Sequence, residues 1–146
     1  MKNNVLISKM TKEDLNSIAN ILQSDFDDFW NYNILSNELN SSNSIYLVAK
    51  INDEIIGFAG ITLILDEAEI NNIVIKKDFR KKGYSKILLQ NLIDLSKKQN
   101  IKKINLEVNI ENIIAINLYH SFNFKDVGLR KGYYKGKDAI LMSLFI

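Results

Sequence analysis

The chemically suggestive residues of this sequence fall into three groups. The first is the run Ile73-Val74-Ile75-Lys76-Lys77-Asp78-Phe79-Arg80-Lys81-Lys82-Gly83-Tyr84-Ser85, which passes from an apolar, β-branched stretch through a basic turn into a helical pattern. Helix starts leave amide groups free to bind anions, and glycine lets a backbone approach phosphate closely, so a pyrophosphate site is implied. The spacing is not that of a P-loop, and one glycine does not make the dinucleotide fingerprint. The same run also fits a solvated basic turn that caps a helix.

The second group is Leu106-Glu107-Val108. Apolar side chains at 104, 106 and 108 alternate with Asn105, Glu107 and Asn109, so strand period turns Glu107 away from the apolar face. A carboxylate there either reaches a cleft, where it can act as a base, or ends a strand in water. The third group surrounds a helical stripe. Asn112 precedes it and reads first as a helix cap. Tyr119 lies in the stripe and reads equally as a core tyrosine with a satisfied hydroxyl. His120, the only histidine, faces away from the stripe toward solvent. Trp30 and the pair Tyr133-Tyr134 are either packing residues or walls of a substrate groove. With no cysteine, thiolate catalysis, disulfides and cysteine-based zinc sites are excluded, and one histidine disfavours a histidine metal site or relay.

The elements that hold these residues can be read from periodicity. Val5–Lys9 is a short strand. Thr11 with Asp14 resembles a capping box, and Leu15, Ile18, Ala19 and Leu22 repeat at helical spacing, which predicts a helix over about Lys12–Ser24. Asp25–Ser44 reads as a loop with a short helix. Ile45–Ile51 and Glu54–Ile64 form a hairpin about Asn52-Asp53, and Ala68–Ile75 extends it to a meander. Tyr84, Leu88, Leu92 and Leu95 mark a long helix ending near Asn100, and Lys103–Val108 is the next strand. Strand, helix and strand make a crossover, so Ala68–Ile75 and Lys103–Val108 should be parallel neighbours. Ala115, Leu118, Tyr119 and Phe122 mark another helix. Lys125–Arg130 and Ala139–Ile146 are closing strands, with Lys135-Gly136-Lys137 an exposed connection. The order predicts one α/β (α+β) domain over residues 1–146, with a mixed sheet and helices on both faces.

The chain has 146 residues, 47% of them hydrophobic and 25% charged, which suits one ordinary globular core. A net charge of +2 gives no strong field for nucleic acid, and neither a signal peptide nor a membrane span is visible. The expectation is a cytoplasmic protein with no nucleic-acid or membrane partner, a monomer or weak homodimer.

On Asn72-Ile73-Val74-Ile75, Arg80-x-x-Gly83-x-Ser85, Leu106-Glu107-Val108, Asn112-x-x-Ala115-Ile116-x-Leu118-Tyr119, Arg130-Lys131-Gly132-Tyr133-Tyr134 and Asp138-Ala139-Ile140-Leu141-Met142, the sequence resembles the GNAT acetyltransferases. Within them it resembles the bacterial ribosomal-protein-alanine N-acetyltransferases of the RimI type. The resemblance implies a mostly antiparallel sheet of about seven strands, splayed at a central parallel pair. It implies acetyl-CoA as cosubstrate, its pantetheine arm paired with the backbone of Ile73, Val74 and Ile75. The pyrophosphate would be wrapped by Lys81, Lys82, Gly83, Tyr84, Ser85 and Lys86, with Asn112 touching the cofactor. Glu107 would be the general base and Tyr119 the general acid, and the acceptor the N-terminal alanine of a small-subunit ribosomal protein. The sequence departs from the family pattern at Ser85, where glycine or alanine is usual, at Asn123 in place of glycine, and at Asn109 in place of arginine. Acetylation of a small amine such as a polyamine or antibiotic, or a non-catalytic acyl-CoA-binding module, stand as alternatives.

Overall fold

The computed structural model describes residues 4–26, 31–134 and 136–146, with only the backbone of 133 and 134. The expectation for Trp30 lies outside the described residues, as do those for the side chains of Tyr133 and Tyr134.

Strand β1 (Leu6–Lys9) leads into helix α1 (Lys12–Ile18), whose start is the capping box anticipated from sequence. Thr11 Oγ1 accepts from the Asp14 amide at 3.1 Å and Asp14 Oδ2 from the Thr11 amide at 2.9 Å. The expected single helix to Ser24 is broken. A 3-10 turn over Ala19–Ile21 separates α1 from α2 (Leu22–Asp25), with Ile18 and Ile21 at ψ of 3° and 7°. Periodicity cannot register this, because Leu15, Ile18, Leu22 and Phe26 reach one buried face either way. Helix α3 (Tyr32–Asn40) begins where the Asn31 side chain accepts from the Ile34 amide at 3.0 Å.

Strands β2 (Ser44–Ile51) and β3 (Glu54–Ile64) form the expected hairpin, with Asn52 and Asp53 both at positive φ as a two-residue primed turn requires. Strand β4 (Glu67–Ile75) completes the meander. A 3-10 turn over Lys77–Phe79 precedes α4 (Tyr84–Lys98), which crosses to β5 (Lys103–Asn109). After α4 the chain turns at Asn100, φ 60°, two residues beyond the helix end. Helix α5 (Ile113–Ser121) follows, and Asn123 takes the left-handed conformation at φ 71°, which asparagine tolerates better than most residues. Strands β6 (Lys125–Tyr134) and β7 (Lys137–Phe145) are longer than expected on both sides of their connection. Their register slips between Arg130 and Tyr134, Gly132 stands at φ 67°, and its amide donates to Asp138 Oδ1 at 3.0 Å. That irregular, polar end of the hairpin has no alternation to read.

The seven strands are ordered β1-β2-β3-β4-β5-β7-β6, antiparallel except for β4 and β5. Helices pack on both faces. On one, α4 and α5 set Leu88, Leu89, Leu92 and Ile116 against Ala49, Ile61, Ile104 and Met142. On the other, α1–α3 set Leu15, Leu22 and Leu35 against Val48, Phe58 and Val74. Each fully buried leucine contributes roughly 1.5–3 kcal/mol of transfer free energy.

Candidate active site at the strand opening

Strands β4 and β5 pair only through Glu67↔Lys103, Ala68↔Ile104 and Glu69↔Asn105. Beyond this β4 bulges: Ile70 lies opposite Ile61 and Asn72 opposite Gly60, which leaves Asn71 as the extra residue. A bulge bends and twists its strand, so β4 turns away while β5 stays paired to β7 from Lys103 to Asn109. The amide of Lys76 donates to Ile56 O at 2.8 Å, so by alternation Val74 also turns its backbone groups to β3. Those of Ile73 and Ile75 face the opening. The Ile75 carbonyl accepts from Arg80 Nε at 2.8 Å, which ties the basic turn to the strand end and leaves the Ile75 amide directed into the gap. Of the three residues expected to offer backbone groups, Ile73 and Ile75 are so placed, whereas the Val74 side chain is buried in the α1–α3 core.

The basic turn has a conformation suited to anions. Lys81 and Gly83 both adopt positive φ, 63° and 85°, and Gly83 caps α4 without any side-chain hydrogen bond. The first-turn amides of Tyr84, Ser85 and Lys86 therefore lack intrahelical acceptors and carry the positive end of the helix dipole. Lys81, Lys82 and Lys86 are exposed beside them, and Lys82 Nζ lies 5.6 Å from the centre of the Phe79 ring. Tyr84 is buried among the α4 core residues, so only its backbone can serve a ligand. Asn112 Oδ1 caps α5 by accepting from the Ala115 amide at 3.2 Å. A strand edge with unpaired amides, leading to free helix amides and cations, fits a ligand that carries an amide-rich arm and a diphosphate.

Glu107 stands on β5 beside the opening. Its neighbours Leu106 and Val108 are buried on the α4 side, and Glu107 takes the opposite face as alternation predicted. Glu107 Oε1 accepts from Arg130 Nη2 at 2.8 Å, while Oε2 is buried with no hydrogen-bond partner. A cleft of about 260 Å³ opens here, lined by Glu107 with Glu69, Asn105, Val127, Leu141 and Ser143. Arg130 had entered the sequence reading only as part of a motif. Its pairing with Glu107 crosses β7, and no linear spacing foretells a contact between strands two places apart. Asn72 likewise enters the sequence only within a motif, with no role of its own, yet its side-chain Nδ2 and Oδ1 are both buried without partners. Such a group costs roughly 1–3 kcal/mol, which marks it as more than a packing residue.

Tyr119 is 9% exposed within the core, its ring edge-on to Phe124 at 5.6 Å. His120 is exposed and hydrogen-bonds Asp126 Oδ1 at 2.8 Å through Nε2, away from the opening. No group of three or more potential metal ligands occurs among the described residues, and none of their helices is long and apolar enough to cross a membrane.

Comparison with known proteins adds to this geometry. Residues 15–124 match the acetyltransferase (GNAT) family. A Haemophilus ducreyi ribosomal protein bS18-alanine N-acetyltransferase is 33% identical over 97% of this chain and all of its own length. A Bacillus subtilis protein whose assignment to the same activity is provisional is 31% identical, covering 97% of this chain and 96% of that one. The crystal structure of the Escherichia coli ribosomal-protein-S18-alanine N-acetyltransferase superposes with a TM-score of 0.89 at 30% identity, covering 98% of this chain and 94% of that one.

Proposed function

This chain belongs to the GNAT acetyltransferase family and is an N-acetyltransferase with acetyl-CoA as cosubstrate, and from that premise we propose that its acceptor is the N-terminal alanine of ribosomal protein bS18. The observation that carries the reading is the placement of Glu107: one carboxylate oxygen tied by Arg130, the other turned inward, beside the point where β4 leaves β5. The length of the likeness to proteins named for bS18 supports the choice of acceptor.

An N-terminal amine has a pKa of about 7.7 to 8.0, so much of it is protonated at neutral pH and must lose a proton before it can attack. Glu107 takes that proton, directly or through one water. Arg130 fixes the carboxylate so that Oε2 is the working oxygen. Acetyl-CoA supplies the activated acyl group as a thioester. Ile73 and Ile75 hold the pantetheine arm through their outward backbone groups. Lys81, Lys82, Gly83, Ser85 and Lys86, with the backbone of Tyr84, hold the diphosphate, and Asn112 borders the cofactor. The Ile75 amide donates toward the acetyl oxygen as charge builds there. Tyr119 gives its proton to the departing sulfur and regains one from the proton that the nitrogen sheds as it becomes an amide. No enzyme nucleophile is needed, in keeping with a sequence that has no cysteine.

The purified protein with acetyl-CoA is expected to acetylate a peptide copying the bS18 N-terminus at its α-amine, read by mass spectrometry. A panel of polyamines and aminoglycosides should release little CoA by comparison. A peptide left unmodified while a small amine turns over would overthrow this acceptor.

A further inference from the structure

Two asparagines sit side by side at the β4 bulge and differ in one respect. Asn71 is satisfied, because its Nδ2 donates to Thr62 Oγ1 at 2.9 Å and to the Tyr46 hydroxyl at 3.4 Å. Asn72 Nδ2 and Oδ1 are closed off from solvent and bond to nothing, and among the described residues Glu107 Oε2 alone shares that condition. The register sets the two residues level with one another. Glu69 lies opposite Thr62 and Asn72 opposite Gly60, so Asn72 is two levels past Glu69 once the bulged residue is set aside. Glu107 is two residues past Asn105, the parallel partner of Glu69. Asn72 and Glu107 therefore occupy one level on the two diverging strands. They also share a face: Asn72 takes that of Val74 in the α1–α3 core, opposite the α4 side that buries Leu106 and Val108.

We propose that Asn72 is a substrate-positioning residue that receives the first residue of the acceptor. Its Oδ1 accepts from the α-amine and its Nδ2 donates to the first peptide carbonyl oxygen, which turns another of the amine's protons toward Glu107 Oε2. The proposal rests on the peptide reading above and deepens it. A carboxamide offers donors and an acceptor from one rigid group, and an N-terminal residue presents the complementary amine and carbonyl, whereas a simple alkylamine has no carbonyl to offer. A site built around hydrogen bonds rejects an analogue that lacks one of them, because its own buried group is then left unpaired. Asn72 would thus help separate peptide N-termini from other amines.

The test compares the bS18 N-terminal peptide with an analogue whose first amide bond is a trans-alkene, using wild type, Asn72→Ala and Asn72→Leu. Wild type should lose about tenfold or more in kcat/KM on the alkene. Both variants should lose about tenfold on the natural peptide, chiefly in KM, and should treat the two substrates alike, with acetyl-CoA affinity unchanged. Because the carboxamide is unpaired in the folded chain, Asn72→Leu should melt no lower than wild type. Variants that keep the wild-type preference for the amide, or an Asn72→Leu protein that loses melting temperature and activity in step, would overturn the proposal. If wild type leaves the peptide untouched while acetylating other amines, the peptide reading itself falls and this proposal with it.

Discussion

One face of the sheet is built in two ways on either side of the opening. Over β2–β4, α1–α3 cover Val48, Phe58 and Val74, and β3 is buried continuously from Ile55 to Ile61. Over β5 and β7 the same face carries Asn105, Glu107 and Ser143 beside an open cleft, and β5 alternates between buried and half-buried residues. The first half spends its side chains on a core, and the second keeps polar groups at hand for chemistry. The lesson is that stability and turnover should answer to different residues of one continuous surface, divided where β4 and β5 part.

That division can be broken or sharpened by substitution. The largest expected effect is on Glu107→Gln, which should lower kcat by roughly 10²–10⁴ while leaving the melting temperature close to wild type. Loss of activity in proportion to loss of fold would merge the two halves. Phe58→Ala, in the covered half, should cost about 3–5 kcal/mol in denaturant unfolding. Protein that remains folded should keep near-normal kcat. Thr11→Ala removes the cap of α1 and should cost about 1 kcal/mol in the same assay, with no change in turnover.

The smallest effect expected is one of pH. Burial tends to raise the Asp14 carboxyl, but Lys50, at 2.8 Å, and the Thr11 donors outweigh it and hold it below its usual value of 3.8. A carboxyl depressed in the folded state stabilises above its unfolded pKa, and that contribution fades as pH falls through the folded value. The melting temperature should therefore drop on acidification below about pH 4, more steeply for wild type than for Asp14→Asn. Parallel slopes would show that Asp14 contributes nothing measurable.

Much of this arrangement was legible in the sequence, and for identifiable reasons. The meander, the crossover through α4 and the outward face of Glu107 all follow from local periodicity and turn chemistry. The motifs placed Glu107 and the Gly83 turn near one opening because the resemblance spans nearly the whole chain. The Glu107–Arg130 pair was not legible, since it depends on register across an intervening strand. The role of the Asn72 side chain was hidden for a different reason: an asparagine in a strand motif looks the same in sequence whether its amide is satisfied, as in Asn71, or not. The break between α1 and α2 was hidden because it leaves the buried face unchanged.

The three-pair contact between β4 and β5 has one more consequence, for measurement. Amide protons in the middle of a sheet ordinarily trade with deuterium only when the structure opens, yet those of Ile73 and Ile75 point at no neighbouring strand. They should label early in the free enzyme and become slow once a nucleotide thioester is added. Two backbone positions would then report occupancy without any assay of turnover, and an inactive variant could be titrated as readily as the wild type.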